Sequence, residues 1–204
     1  MDPRVGYLSG MLIPLTYNCM YLLGGALRPG YSHISNSVSE LLSPGAPNKA
    51  LLTIIQTVYA LLHIAFGCGV LLFVKESAGD HLLGRAGAWL IIAMGVATIG
   101  TVIFPQDAEG TPITMAGQIH KSLVFGGLIP FSILSTLLIG LWLRRAGIFP
   151  GFDVHSFITV GAIIVMGGLG GVAVETQYAG LVERIAAIVT QQWLLMLGLK
   201  LLMR

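Results

Sequence analysis

The chain has 204 residues, of which 55% are hydrophobic and 10% are charged, and its formal net charge is +2. A soluble domain carries about 25% charged residues, so the composition excludes a soluble enzyme, a secreted disulfide scaffold and a DNA-binding module. The near balance of acidic and basic residues gives no indication of a nucleic-acid partner.

Six apolar runs divide the chain, and each is long enough to cross a hydrocarbon core of roughly 30 Å as a helix. All the charged residues except Lys200 lie outside these runs. The sequence therefore predicts an all-α polytopic membrane protein, with one domain over residues 1–204 that consists of a bundle of six transmembrane helices. The predicted spans are 6–27, 51–74, 86–104, 122–143, 157–174 and 185–202.

The basic residues predict the orientation. Six crossings place both termini on one side, which carries seven basic residues against four on the other side. Because the positive-inside rule applies to short loops, we expect both termini in the cytoplasm. The loops over 28–50, 105–121 and 175–184 then face the extracytoplasmic side.

Polar side chains within the predicted spans concentrate in the outer half. Amides in lipid need partners, so we expect them to point into the bundle and to line a polar cavity. Hydrogen bonds between helices are the alternative interpretation. The glycines of the fifth span favour a helix in the centre of the bundle, or one with a broken outer half. The candidate ligand-binding residues are Asn18, Gln56, Tyr59, His63, Gln191 and Gln192.

The first two outer loops contain candidate acid–base residues. Ser37 and Glu40 have the spacing of a capping box, which predicts a short interfacial helix in the first loop. Pro105 ends the third helix, so Asp107 is expected close to the membrane surface and near His120. A carboxylate beside an imidazole is typical of a general base or a metal ligand. Asp107, His120 and Glu40 are therefore the candidate catalytic residues, and a loop-stabilising hydrogen bond is the alternative.

The third outer loop predicts a structural ion pair. Arg184 lies in the first turn of the last helix, where a cation needs a carboxylate partner. We expect a cluster of Arg184, Glu183 and Glu175, with Glu40 and Asp107 as further possible partners. No cofactor and no metal site are predicted, because the candidate ligands share no tight motif; a divalent metal ion is left open.

Several short motifs occur over nearly the whole chain: Ser-Val-Ser-Glu-Leu and Pro-Gly-Ala-Pro-Asn within 29–47, Phe-Pro-x-Asp at 104–107, His120, and Gly-Leu-x-Glu-Arg-Ile at 180–185. In the same order they resemble a family of small prokaryotic membrane proteins catalogued as a domain of unknown function. The resemblance implies a six-helix bundle in a prokaryotic cytoplasmic (inner) membrane and no known activity. The first loop is also remotely similar to a eukaryotic six-helix family of lipid-remodelling and autophagy-modulating proteins, which favours a lipid ligand by analogy.

Two functions stay open. The first is a protein that binds or processes a lipid or isoprenoid amphiphile in the outer cavity; whether it is an enzyme is undecided, because no G-x-S-x-G motif is present. The second is a non-enzymatic membrane scaffold or regulator whose outer loops contact a partner protein. Solute transport is favoured least, since the spans contain no carboxylate and only His63 could relay a proton.

Overall fold

The computed structural model describes residues 2–77, 79, 81–173 and 176–204. Within these residues the chain forms helices and no strands, and six helices are long and apolar enough to cross a membrane. The predicted all-α class is therefore confirmed, and the chain is a multi-pass membrane protein. The helices are α1 (Pro3–Leu27), α2 (Lys49–Glu76), α3 (Leu82–Ile103), α4 (Met115–Ala146), α5 (Phe152–Ala173) and α6 (Ala179–Leu202).

The helices begin and end where local signals place them. The Asp2 side chain accepts a hydrogen bond from the Arg4 N–H at 2.9 Å and caps α1, whose first residue is proline. Helix α4 begins at Met115, seven residues before the apolar run, because the Thr114 hydroxyl accepts the Gly117 N–H. It is followed by Gly147, whose φ of 65° is the left-handed conformation that glycine adopts without strain and that ends a helix.

The predicted short helix of the first long loop is present at Ser39–Leu42 as a single 3₁₀ turn. The Ser37 hydroxyl accepts the Glu40 N–H at 3.2 Å, and the Glu40 carboxylate accepts the Ser37 N–H at 3.1 Å. These two reciprocal bonds are those of a capping box, so the spacing of these two residues was sufficient to predict the turn.

The six helices form a closed ring in chain order, in which each helix packs against the next and α1 packs against α6. Helices α1 and α2 approach closely at Gly6 and Gly69, where a Cβ atom on Gly6 would lie 2.6 Å from the Gly69 Cα atom. We call the end of the ring that carries the loops over 28–48 and 104–114 the long-loop end, and the opposite end, with both termini, the short-loop end.

An apolar core fills the half of the ring at the short-loop end. Its largest members, Phe66, Trp142 and Trp193, are fully buried. The indole N–H of Trp193 donates to the Ser156 hydroxyl at 2.9 Å, so this polar atom has a partner inside the core.

The glycines of α5 had suggested that this helix lies at the centre of the bundle. The helix instead forms part of the ring. A Cβ atom added at Gly161, Gly168, Gly170 or Gly171 would meet no atom within 4 Å. Small residues bring helices together only where a neighbour is present, and in the described residues α5 packs mainly against α4 and α6. The helix is continuous to Ala173, so no break occurs in its described part.

Helix α4 contains one π-helical turn at Val124–Leu128. In this turn the Ile129 N–H bonds to the Val124 carbonyl, five residues earlier. Pro130 has no N–H, so the carbonyl of Gly126 lacks its usual helical donor and the regular pattern is interrupted here. Such turns often occur at functional sites, and this one faces the interior at the long-loop end.

Candidate functional site

A cavity of about 790 Å³ occupies the half of the ring at the long-loop end. All six helices and the long loops contribute to its wall, and its volume is within the range of small-molecule sites. In the described lining the charged side chains lie at the mouth, beside the loops, and the deeper lining is uncharged. The charged residues at the mouth are Glu40, Glu109, Lys121 and Glu183, and the deep apolar residues are Met94, Leu128, Ile129, Ile163 and Met166.

Four of the six candidate ligand-binding residues line this cavity, and two do not. Gln56, Tyr59, His63 and Gln191 are in the lining. The Tyr59 and His63 rings stack edge to face with their centroids 4.5 Å apart, and the Tyr59 ring also contacts Tyr17 at 5.3 Å. Helices α1 and α2 therefore give the cavity an aromatic wall.

The other two residues are engaged in hydrogen bonds outside the cavity, and of these only the bond of Gln192 to Thr159 joins two helices, as the alternative interpretation proposed. The Asn18 amide donates to the Pro14 carbonyl at 2.6 Å, within its own helix. The Gln192 amide donates to the Thr159 hydroxyl at 3.2 Å and ties α6 to α5. Gln191 and Gln192 are consecutive and so lie about 100° apart around the helix. Only Gln191 faces the cavity.

Gln191 is 3% exposed, yet neither atom of its amide group has a hydrogen-bond partner among the described residues. The Tyr59 hydroxyl faces this amide, but the geometry does not meet that of a hydrogen bond. The Gln56 carbonyl oxygen is also buried without a partner. An unpartnered buried polar group costs about 1–3 kcal/mol, and two of them face the same cavity.

His120 is 5% exposed and lies at the mouth between two partners. Its Nδ1 atom is 3.0 Å from the Phe104 carbonyl oxygen, and its Nε2 atom is 3.2 Å from the Ser39 hydroxyl. Ser39 also lines the cavity. The sequence analysis missed Ser39, because its contact with His120 joins residues 81 positions apart and no local motif marks it.

Asp107 makes no hydrogen bond to His120 and instead makes loop-stabilising hydrogen bonds, which the sequence analysis gave as the alternative. Its carboxylate accepts the Thr114 hydroxyl at 2.6 Å and the Thr114 N–H at 2.9 Å, and it lies directly over Gly117. These hydrogen bonds lower the pKa of Asp107 below its ordinary value. Asp107 therefore stabilises the start of α4 and is absent from the cavity lining.

Glu40 and Glu183 line the mouth and also hold the backbone of the first long loop. The Glu40 carboxylate accepts the Asn36 amide at 2.8 Å in addition to the Ser37 N–H. The Glu183 carboxylate accepts the Val38 N–H at 2.8 Å. Both acids therefore stabilise this loop: Glu40 bonds to residues within the loop, and Glu183 bonds the loop to α6.

Among the described residues, which do not include Glu175, Arg184 is the centre of a hydrogen-bond cluster and forms no ion pair. It is 6% exposed, and its Nη1 atom donates to the carbonyls of His33, Asn36 and Gly180 at 2.7–3.0 Å. Its Nη2 atom donates to the Tyr31 hydroxyl at 2.6 Å. Burial raises the pKa of this hydroxyl to about 12, although the nearby guanidinium opposes the shift.

The carboxylates near Arg184 are engaged elsewhere, which explains the difference. In the described ranges, the ion pair that forms is Arg144–Asp153, at 4.0 Å and at the other end of the ring. Glu183 bonds to the loop backbone instead, and Glu175 lies outside the described residues. Backbone carbonyls thus supply the acceptors that we had assigned to carboxylates.

In the part of the chain that the structure describes, no three His, Cys, Asp or Glu side chains converge as a metal site would require. The groups at the mouth include the Ser39 hydroxyl, the His120 imidazole, three carboxylates, the Lys121 ammonium and the side-chain amide of Gln106, whose N–H donates to Ser37. The deeper cavity offers uncharged hydrogen-bonding groups surrounded by apolar surface.

A family model matches residues 11–200 of the chain, and its description is Protein of unknown function (DUF998). No curated protein and no solved structure matches the chain. The similarity to small membrane proteins of unknown function is therefore shown, and the remoter likeness to a eukaryotic family is not.

Proposed function

The chain belongs to the DUF998 family, and because that family's description assigns no activity, we propose a function from the cavity. The protein binds a lipid or isoprenoid amphiphile in the cavity at the long-loop end. We also propose that this end faces the extracytoplasmic side of a prokaryotic cytoplasmic membrane, as the distribution of basic residues favours.

The observation that carries this proposal is the gradient of polarity along the cavity. Charged side chains stand only at the mouth of the described lining, and apolar side chains from α3, α4 and α5 surround the deeper part. An amphiphile has the same two parts. Its headgroup fits the mouth and its chain fits the deeper cavity, where burial of apolar surface stabilises the complex by about 25 cal/mol per Å².

The unpartnered amides support the same proposal. A ligand that brings a hydroxyl or carbonyl group to the depth of Gln191 and Gln56 supplies the hydrogen bonds that these side chains lack. No described residue makes these bonds. Purely apolar ligands could not make them either, so we expect a ligand with a polar group below its headgroup.

The wall between α4 and α5 offers a path from the bilayer. Phe125, in the π-helical turn, lines the cavity and is 46% exposed. Gly170 lines the cavity from α5, and a Cβ atom there would meet nothing within 4 Å. A lipid that enters here keeps its chain in the hydrocarbon region throughout.

The test is a comparison of Gln191→Leu with Gln192→Leu in protein purified in mild detergent. Lipids extracted from each preparation are quantified by mass spectrometry. Gln191→Leu should retain about tenfold less amphiphile, because it loses a hydrogen bond worth about 1.4 kcal/mol. Its ligand-free form should be more stable than wild type by about 1–2 kcal/mol, since an unpartnered amide has been removed.

Gln192→Leu is the matched control, because it changes the neighbouring residue in the same way outside the cavity. It should retain wild-type amounts of amphiphile and lose about 1 kcal/mol of stability with its bond to Thr159. Wild-type protein that carries no amphiphile, and whose unfolding temperature does not respond to added lipid, would refute the proposal.

One observation favours the scaffold alternative. The guanidinium of Arg184 and the carboxylates of Glu40 and Glu183 are all engaged in holding the first long loop. A scaffold that presents this loop to a partner protein would need the same bonds. In that case Gln191→Leu would leave the cellular function unchanged, whereas loss of Arg184 would abolish it.

A further inference from the structure

Two side chains from distant parts of the chain meet at the mouth of the cavity. The Ser39 hydroxyl lies 3.2 Å from the His120 Nε2 atom, and the opposite ring nitrogen lies 3.0 Å from the Phe104 carbonyl oxygen. A carbonyl can only accept a hydrogen bond, so Nδ1 carries the proton. In the neutral ring Nε2 is then an acceptor, and the serine hydroxyl donates to it.

This is the arrangement of an activated nucleophile: a hydroxyl, a base within hydrogen-bond distance, and a third group that orients the base. We propose that Ser39 and His120 are the nucleophile and general base of an esterase that cleaves the acyl ester bond of a membrane lipid. The inference rests on the proposed function, because the acyl chain would occupy the same cavity. The Phe104 carbonyl takes the orienting position that a carboxylate has in a serine hydrolase triad.

The position of the pair within the cavity points to an acyl ester. The carbonyl group of such a lipid lies between its apolar chain and its polar headgroup. Ser39 and His120 lie at the mouth beside the charged residues Glu40 and Lys121, and the apolar residues line the deeper part of the same cavity. A lipid whose chain enters the cavity and whose headgroup stays at the mouth therefore brings its ester carbonyl to the level of the pair.

The neighbouring serines of the loop have other roles. The Ser37 hydroxyl accepts the Glu40 N–H and the Gln106 amide, and the Ser43 hydroxyl donates to the Glu40 carbonyl. Ser39 alone among the serines of this described loop faces an imidazole. Gln106 and Lys121 line the same mouth and provide N–H donors for a developing oxyanion.

The reaction needs only water as a co-reactant. The Ser39 oxygen forms a bond to the acyl carbon as its proton passes to His120 Nε2, and the carbonyl electron pair moves onto oxygen. The intermediate collapses, the bond to the alcohol oxygen breaks, and Nε2 returns the proton to that oxygen. Water then attacks the acyl-Ser39 ester, with Nε2 as base, and releases the fatty acid and free Ser39.

The test uses an alkyl fluorophosphonate on the full-length protein in detergent, with the modified residue located by mass spectrometry. Wild type should form one adduct, at Ser39. In His120→Asn the amide can still donate to the Phe104 carbonyl but the base is absent, so the labelling rate should fall at least about 100-fold. Ser35→Ala is the control, because this exposed hydroxyl lies in the same loop without contacting His120, and labelling should be unchanged.

Thermal unfolding shows whether His120→Asn is folded, and His120→Gln provides a second variant without an imidazole. Folded wild type that is not labelled at Ser39, or histidine variants that are labelled as fast as wild type, would overturn the inference. If the protein retains amphiphile but Ser39 is not labelled, the esterase activity is rejected and the proposed binding function is retained. Histidine-dependent labelling in protein that retains no amphiphile would support the pair and count against a stably bound ligand.

Discussion

At the scale of single residues, Arg184 determines where the first long loop lies. Its guanidinium donates to backbone carbonyls of His33 and Asn36 and stands 5.1 Å from the centre of the Tyr21 ring. The planar group combines several donors in one fork with a flat face that stacks on aromatic rings. A lysine has neither property, so this position depends on arginine.

Gly180 lets the loop approach α6 closely. A Cβ atom at this position would overlap the Asn36 carbonyl oxygen and lie 2.7 Å from the Arg184 Nη1 atom. We expect Gly180→Ala to lower the free energy of unfolding by about 1–3 kcal/mol, because the loop must move away and its bonds to Arg184 weaken. Thermal unfolding in detergent measures the effect.

Gly168→Ala is the control for this prediction, since a Cβ atom there would meet no neighbouring atom. It should leave stability unchanged or raise it by up to about 1 kcal/mol, as alanine favours a helix more than glycine does. Equal unfolding temperatures for Gly180→Ala and wild type would show that the loop does not dock on α6 as described.

At the scale of elements, the start of α4 brings the imidazole to the cavity mouth. Thr114 caps the helix and is itself held by Asp107, and His120 follows about one and a half turns later. The helix therefore begins outside its apolar run, and its first turns form part of the cavity wall. The π-helical turn beyond it directs Val124 and Leu128 into the same cavity.

The role of Asp107 predicts a pH dependence. Its pKa is lower in the folded protein than its ordinary value of 3.8, so the charged form stabilises the fold. That stability is present in full above the ordinary value and is lost as the pH falls through the lower, folded value. Asp107→Asn should therefore unfold at a lower temperature than wild type at pH 7, and the difference should shrink as the pH falls below about 4.

The measurement is thermal unfolding across this pH range. Glu109→Gln changes an acid of the same loop that makes no hydrogen bond to the described residues, and it should alter the unfolding temperature little at any pH. If Asp107→Asn matches wild type at pH 7, the carboxylate does not stabilise the helix start, and a role in acid–base chemistry would regain support.

At the scale of the whole molecule, the interior of the ring is filled with side chains at one end and contains a cavity at the other. Large apolar side chains fill the half that carries the termini, and the cavity lies in the half that carries the long loops. If the cavity binds a ligand as we propose, it receives that ligand from one side of the membrane only. Its orientation therefore decides which leaflet supplies the ligand.

We predict that the cavity opens to the extracytoplasmic side. In a variant without the native Cys19 and Cys68, Thr111→Cys should react with a membrane-impermeant maleimide in intact cells. Arg145→Cys, at the opposite end, should react only after the membrane is permeabilised. Both positions are exposed in the structure, so access is limited by the membrane alone, and the reverse pattern of labelling would show the opposite orientation.

The sequence by itself determined the fold class, the six spans and the capping box at Ser37 and Glu40. These features depend on interactions between near neighbours or on the transfer of whole segments into lipid, and both can be read from spacing and hydropathy. The ends of the helices were harder to predict from the sequence. In α4, for example, capping by Thr114 and Asp107 extends the helix into polar sequence.

Only the tertiary structure decided which polar groups meet. It turned Gln191 towards the cavity and Gln192 away from it, gave Arg184 backbone carbonyls in place of carboxylates, and brought Ser39 to His120. The physical reason is that a polar group in a membrane protein will accept any partner of the right chemistry that the packing of the helices brings within about 3 Å. Helix rotation and loop docking select that partner, and neither is encoded in local spacing.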